Sequence, residues 1–108
     1  MTDTLTPPPL PDAEPTSPSS WTLSLPLSVG GENVHVVARM EPDTIGEARS
    51  RERLTGRPLI DILTPVSVSD WVAVAVAALI RDGFDGDAAV EAVDALAPSA
   101  LIDAIVWG

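Results

Sequence analysis

A chain of 108 residues holds one small domain. Its net charge of −10, with no lysine, argues against nonspecific binding to a nucleic-acid backbone, and the lack of cysteine excludes disulfides and thiolate metal sites. The longest apolar run, Trp71 to Ile80, is too short for a membrane span, which takes roughly 20 residues.

Residues 1–20 carry six of the eleven prolines, with Thr, Ser, Asp and Glu filling most of the rest. Proline removes amide donors and disfavours helix in the residue before it, and so polar a segment buries too little apolar surface to offset its ordering entropy. A disordered tail is expected. It has neither the basic nor the apolar region of a secretory signal. "PPPLP" could alternatively act as a polyproline II recognition peptide.

A single domain is expected over residues 21–108. In "WTLSLPLSV" the residues Trp21, Leu23, Leu25, Leu27 and Val29 alternate with polar ones, the period of a half-buried strand, and Pro26 on the polar phase points to an edge strand. "GGEN" reads as a turn and "VHVVARM" as the return strand. Residues 21–40 are therefore expected to form a β-hairpin.

From residue 44 the pattern is helical. Thr44 and Glu47 fit a capping box, and Gly56 fits a helix stop. Pro58 opens a short turn, "PLIDIL". Ser67 to Asp70 caps a helix ending at Gly83, and its interior "WVAVAVAALI" is apolar nearly all round. The alternation of Val and Ala allows a strand over Val72 to Val76, but the cap, the alanines and the Gly stop favour helix. Within it Asp70, Ala73, Ala77 and Arg81 form a narrow stripe that another backbone could approach closely. Asp87 is the expected cap of the next helix, which Pro98 breaks. A last helix is expected from Ser99 to Trp107. The expected fold class is thus mainly α with a small N-terminal β-hairpin, a small helical domain of four to five short helices.

No catalytic constellation stands out. His35 is the only histidine, falls on the exposed phase of its strand, and has no accompanying nucleophile motif. Asp82, Asp85, Asp87 and Glu91 lack the offsets of a calcium loop, and a helix stop, a turn and an N-cap account for the three aspartates. There is no glycine-rich phosphate loop. Neither an enzyme, nor a cofactor, nor a metal, nor a small-molecule substrate is expected. Four of the six basic residues cluster here, Arg49, Arg51 and Arg53 on one mostly polar helix and Arg57 just past its stop. They read either as a solvated face interleaved with Glu47 and Glu52, or as a docking site for an acidic partner. After Arg81 come six acids and no base, so the basic edge of one copy could meet the acidic end of another.

The stretch "ARSRERLTGRPLIDILTPVSVSDWVAVAVAALIRDGFDGDAAVEAVDAL" resembles the tail assembly chaperones of long-tailed bacteriophages. The resemblance spans roughly residues 32–108. It rests on a helix stop at Glu52, Thr55 and Gly56, and on a Leu/Ile-rich turn at Leu59, Ile60, Ile62 and Leu63. An apolar helix from Trp71 to Arg81 and an acidic helix with Glu91, Val93 and Leu96 complete it. It implies a non-enzymatic protein of the host cytoplasm, absent from the mature virion, that binds the tape measure protein, keeps it soluble during tail assembly, and tends to self-associate. It implies no nucleic-acid or membrane partner. The candidate partner-binding residues are Arg49 and Arg53 on the basic helix with Arg57 just past it, and Leu101, Ile105 and Trp107 on the terminal helix. The competing readings are a structural virion protein, such as a head–tail connector or minor tail protein, and an acidic protein-binding regulator.

Overall fold

The computed structural model describes residues 20–107. The Pro-rich tail expected over residues 1–20 lies outside the described residues, apart from exposed Ser20.

Strand β1 (Trp21–Val29) buries its odd-numbered residues and leaves the even-numbered ones half-buried or exposed. Its partner β2 (Glu32–Arg39) is antiparallel, with Val29 opposite Glu32. The connection is the pair Gly30–Gly31, both at positive φ (59° and 84°). A two-residue turn of this kind needs φ > 0 at both positions, which matches the strand twist and suits glycine. Glu32 and Asn33, read from the sequence as turn residues, belong to β2.

Helix α1 (Ile45–Thr55) starts at Thr44, whose Oγ1 accepts from Glu47 N at 3.0 Å. Glu47 reaches back as well, though its Oε1 accepts from Asp43 N (3.0 Å) rather than from the cap residue itself. Gly56, at φ 72°, closes the helix, its N–H donating to Glu52 O. A 3-10 turn at Leu59–Asp61 follows. Helix α2 (Val68–Arg81), capped by Ser67, buries every residue from Ala73 to Leu79. Helix α3 (Gly86–Asp94) is capped by Asp85, whose side chain accepts from Ala88 N; the expected cap, Asp87, lies in the first turn instead.

The expected terminal helix is overturned. Helix α4 (Pro98–Asp103) lasts six residues, with Ala97 rather than Ser99 at its N-cap and Pro98 in its first turn. Pro98 opens this helix; it does not merely break the one before. The chain then extends into strand β3 (Ile105–Trp107), which pairs antiparallel with β1, Trp21 opposite Trp107 and Leu23 opposite Ile105.

The fold class is therefore corrected. This is a three-stranded antiparallel sheet in the order β2-β1-β3, covered by helices, and not a mainly α domain. The cause is backbone satisfaction. One flank of β1 pairs with β2, and the groups of Thr22 and Ser24 point to the other flank. There Ser24 N donates to Ala104 O at 2.9 Å. β-branched and aromatic residues at positions 105–107 lose little by extending, and they gain that ladder. Pro26 is corrected too: β1 is the central strand. Its missing N–H falls on the same flank as Ser24, beyond the point where β3 ends, so no ladder bond is lost.

The core lies between the inner face of the sheet and α2. Trp21, Leu23, Leu25, Val36 and Ala38 meet Trp71, Val74, Ala75, Ala78 and Leu79, with Ala89, Val93 and Leu101 added from α3 and α4. Helices α1 and α3 both pack against α2. The small stripe Ala73 and Ala77 is buried, and the polar residues at its ends are tied toward α1, Asp70 to Arg57 just past α1 and Arg81 to Glu47 within it.

Candidate functional site

The arginine cluster of α1 is divided by the fold. Arg51 points inward and is fully buried, as is Glu47 one turn before it. Its Nη2 bonds Glu47 Oε2 at 3.1 Å and Arg39 O at 2.6 Å, and its Nη1 bonds Met40 O at 2.9 Å. The guanidinium lies 5.5 Å from the centre of the Trp21 ring, a cation–π distance. Arg81 completes the group from α2, reaching Glu47 Oε1 at 3.1 Å and Val37 O at 2.8 Å. Burial pushes the Arg51 guanidinium below its ordinary pKa, with Glu47 opposing the shift. Arg81 also loses solvation, but its bonds to Asp82 and Glu47 outweigh that and hold its pKa above the ordinary value.

This network does structural work. The carbonyls of Val37 and Arg39 face the free edge of β2, and guanidinium groups of Arg81 and Arg51 occupy them. An edge so occupied is a poor template for another strand. The sequence reading of α1 as a largely solvated face is corrected on this point, because residues 47, 50 and 51 are inside. The stretch Arg49 to Arg53 carries no apolar residue, so no amphipathic pattern reveals it.

Arg57, just past α1, pairs with Asp70 in the first turn of α2. Asp70 also accepts from Val66 N at 3.1 Å and is nearly buried. The Arg57 hydrogen bond holds the Asp70 carboxyl below its ordinary 3.8, against the upward push of burial. A carboxyl depressed on folding contributes stability above its unfolded value, and the contribution is lost as pH falls through the lower, folded value. Urea midpoints are therefore expected to drop as pH falls below about 4. Arg57→Gln should flatten that part of the profile, and an unchanged acid limb in the variant would show that the pair carries none of it.

That leaves Arg49 and Arg53 as the exposed basic residues of α1, Arg53 bonding Ser50 Oγ at 3.4 Å. They line an open depression with Glu52, Gly56, Arg57 and Pro58. A separate groove, which the sequence reading did not find, opens over α2. Its floor is α2 (Val68, Ser69, Val72, Ala73 and Val76), one wall is Leu54 of α1, and the other is Val90 and Asp94 of α3. It holds about 370 Å³ and continues over Val68 and Val72 toward Leu96, Pro98 and Leu101. Leu54 is 40% exposed and Val68 52%. The sequence did carry one signal, a leucine and a valine on otherwise polar helix positions, which a buried-face reading passes over.

The terminal candidates are scattered rather than gathered on one helix face. Leu101 is buried in the core, Ile105 is half-buried in β3, and Trp107 is 57% exposed. Trp107 stacks edge-on against Trp71 with ring centres 6.1 Å apart, so even its exposed ring is anchored.

His35 lies on the exposed outer face of the sheet, its Nε2 in hydrogen-bond contact with Ser24 Oγ. No carboxylate hydrogen-bonds its ring among the described residues. Among the described residues no group of three or more His, Cys, Asp or Glu side chains could hold a metal ion, and no helix is long and apolar enough to cross a membrane. In comparisons with known proteins, no family model, no characterised relative and no solved structure matches this chain.

Proposed function

We propose that this protein is a non-enzymatic tail assembly chaperone of a long-tailed bacteriophage, which holds apolar helical segments of a tape measure protein in the groove between α1 and α3. The groove is the observation that carries the reading. An apolar channel floored by one helix and walled by two others suits an amphipathic helix, whose i, i+4 and i+7 side chains fill such a channel. The resemblance over residues 32–108 supplies the identity of the client. The charge of −10 favours solubility of a coated complex. On this reading the protein acts in the host cytoplasm and leaves before the virion is complete.

The test is co-expression with a tape measure protein. Leu54→Lys with Val68→Asp makes the groove polar while respecting the helix dipoles, since the lysine falls in the last turn of α1 and the aspartate in the first turn of α2. The variant should keep its circular dichroism and leave the tape measure protein insoluble. If it stays folded and solubilises the client as well as the parent does, the groove is not the binding site.

A further inference from the structure

We infer that Asp94 is the specificity-determining residue of the groove, and that it restricts the occupant to an amphipathic helix carrying a lysine or arginine beside its apolar stripe. This rests on the groove being the client site, as proposed above, and goes beyond it to the chemistry of the client.

Two depressions make up the groove, and Val68, Val72 and Asp94 line both. Asp94 thus stands where they meet, on the α3 wall. Leu54, Val76 and Val90 belong to the first depression, and Leu96, Pro98 and Leu101 to the second. Asp94 is the one charged side chain in either lining. The exposed arginines of α1 line a depression of their own, and no base follows Arg81 in the chain. Asp94 is exposed and forms no ion pair among the described residues. It is also the last residue of α3, where the helix macrodipole disfavours a carboxylate.

An occupant changes the balance at this position. A helix laid along α2 across both depressions covers Asp94 and takes its carboxylate out of water. A buried carboxylate left unpaired is costly, and one facing another acid is costlier still. Paired with a cation, it gains a charge-assisted bond in a low-dielectric surrounding. Purely apolar and acidic helices are therefore disfavoured, and a base set among apolar residues is accepted. The floor from Val68 to Val76 rises about 12 Å, close to two helical turns, which leaves apolar surface one turn to either side of the cation. Reversing the helix exchanges its flanks, so a base on either flank can reach the α3 wall. Charge complementarity with Asp94 thus identifies the occupant.

Three synthetic peptides test this. All share a Leu stripe at i, i+4 and i+7 on a Gln background, and they differ at one central position on its flank, which is Lys, Gln or Glu. Binding to the full chain is followed by fluorescence anisotropy. Because the net charge of −10 attracts any cationic peptide, the decisive comparison is between Asp94→Asn and Glu91→Gln. Each removes one exposed acid from α3, but Glu91 lines neither depression. The Lys peptide should bind the parent most tightly. Asp94→Asn should weaken it on the order of tenfold, and Glu91→Gln by less than about twofold. Asp94→Lys should invert the order, so that the Glu peptide binds best. Both substitutions at Asp94 relieve a charge opposed to the helix dipole, so the variants should keep their circular dichroism.

If Asp94→Asn and Glu91→Gln weaken the Lys peptide equally, or the parent binds the three peptides alike, Asp94 does not select the client, while the chaperone reading stands. Binding that survives Leu54→Lys/Val68→Asp places the peptide elsewhere and overturns the groove assignment as well, as does failure of all three peptides to bind. A dimer in sedimentation that the same groove variant disperses would assign the groove to a second copy and overturn the client helix as its occupant.

Discussion

Replacing Arg51 with methionine is expected to cost about 3–5 kcal/mol, the range for removing one partner of a buried ion pair. The size follows from what stays behind. Glu47 remains fully buried with its carboxylate charge, and the carbonyls of Arg39 and Met40 lose their donors. Methionine restores the volume, so the loss reports charge and hydrogen bonding more than a cavity. For a domain of this size each kcal/mol shifts Tm by roughly 4–8 °C, which makes the effect plain in thermal or urea unfolding. Adding Glu47→Leu should recover only part of the loss, because Glu47 also accepts from Asp43 N and from Arg81. A cost below about 1 kcal/mol would mean that Arg51 is solvated and that the pair is an ordinary surface one.

Trp71→Ala should lower stability by about 3–5 kcal/mol, as large aromatic truncations in cores do. Trp71 is 6% exposed and stands between two other indoles, 4.8 Å from Trp21 and 6.1 Å from Trp107 by ring centres, both edge-on. It thus joins α2 to the central strand and to the end of the chain together. Trp107→Ala, at an exposed ring, should cost much less. The two variants compared in urea, with amide exchange of β3 followed by NMR, test the arrangement. If Trp71→Ala leaves exchange in residues 105–107 unchanged, the indole does not hold that strand in place.

These two residues mark how far the sequence was legible. Trp71 opens the most apolar stretch of the chain, and its burial follows from hydrophobicity alone. Arg51 is one of several arginines on a polar helix; Glu47 four residues before it marks a local pair, but an i, i+4 pair is as common on a solvated face and does not signal burial. What sets it apart is the pair of carbonyls at residues 39 and 40, which the fold brings over it. The candidate site was legible to a similar degree. Arg49 and Arg53 line a depression apart from the groove, and the groove itself needs α1 and α3 on either side of α2, a spacing that no local pattern specifies.

The sequence by itself determined the features that depend on neighbours within one turn or one pleat. Thr44 and Ser67 cap their helices because a hydroxyl three residues before an amide is a local geometry. Gly56 ends α1 because a left-handed residue there carries no Cβ penalty. Alternation chose which side chains of β1 enter the core. Only the tertiary structure decided the rest. The terminal residues Ile105, Val106 and Trp107 suit either helix or strand, and they became a strand because the open flank of β1 offered backbone partners from more than 80 residues away. Pairing over that distance is a contest between whole arrangements of the chain, and local preference is too weak to settle it.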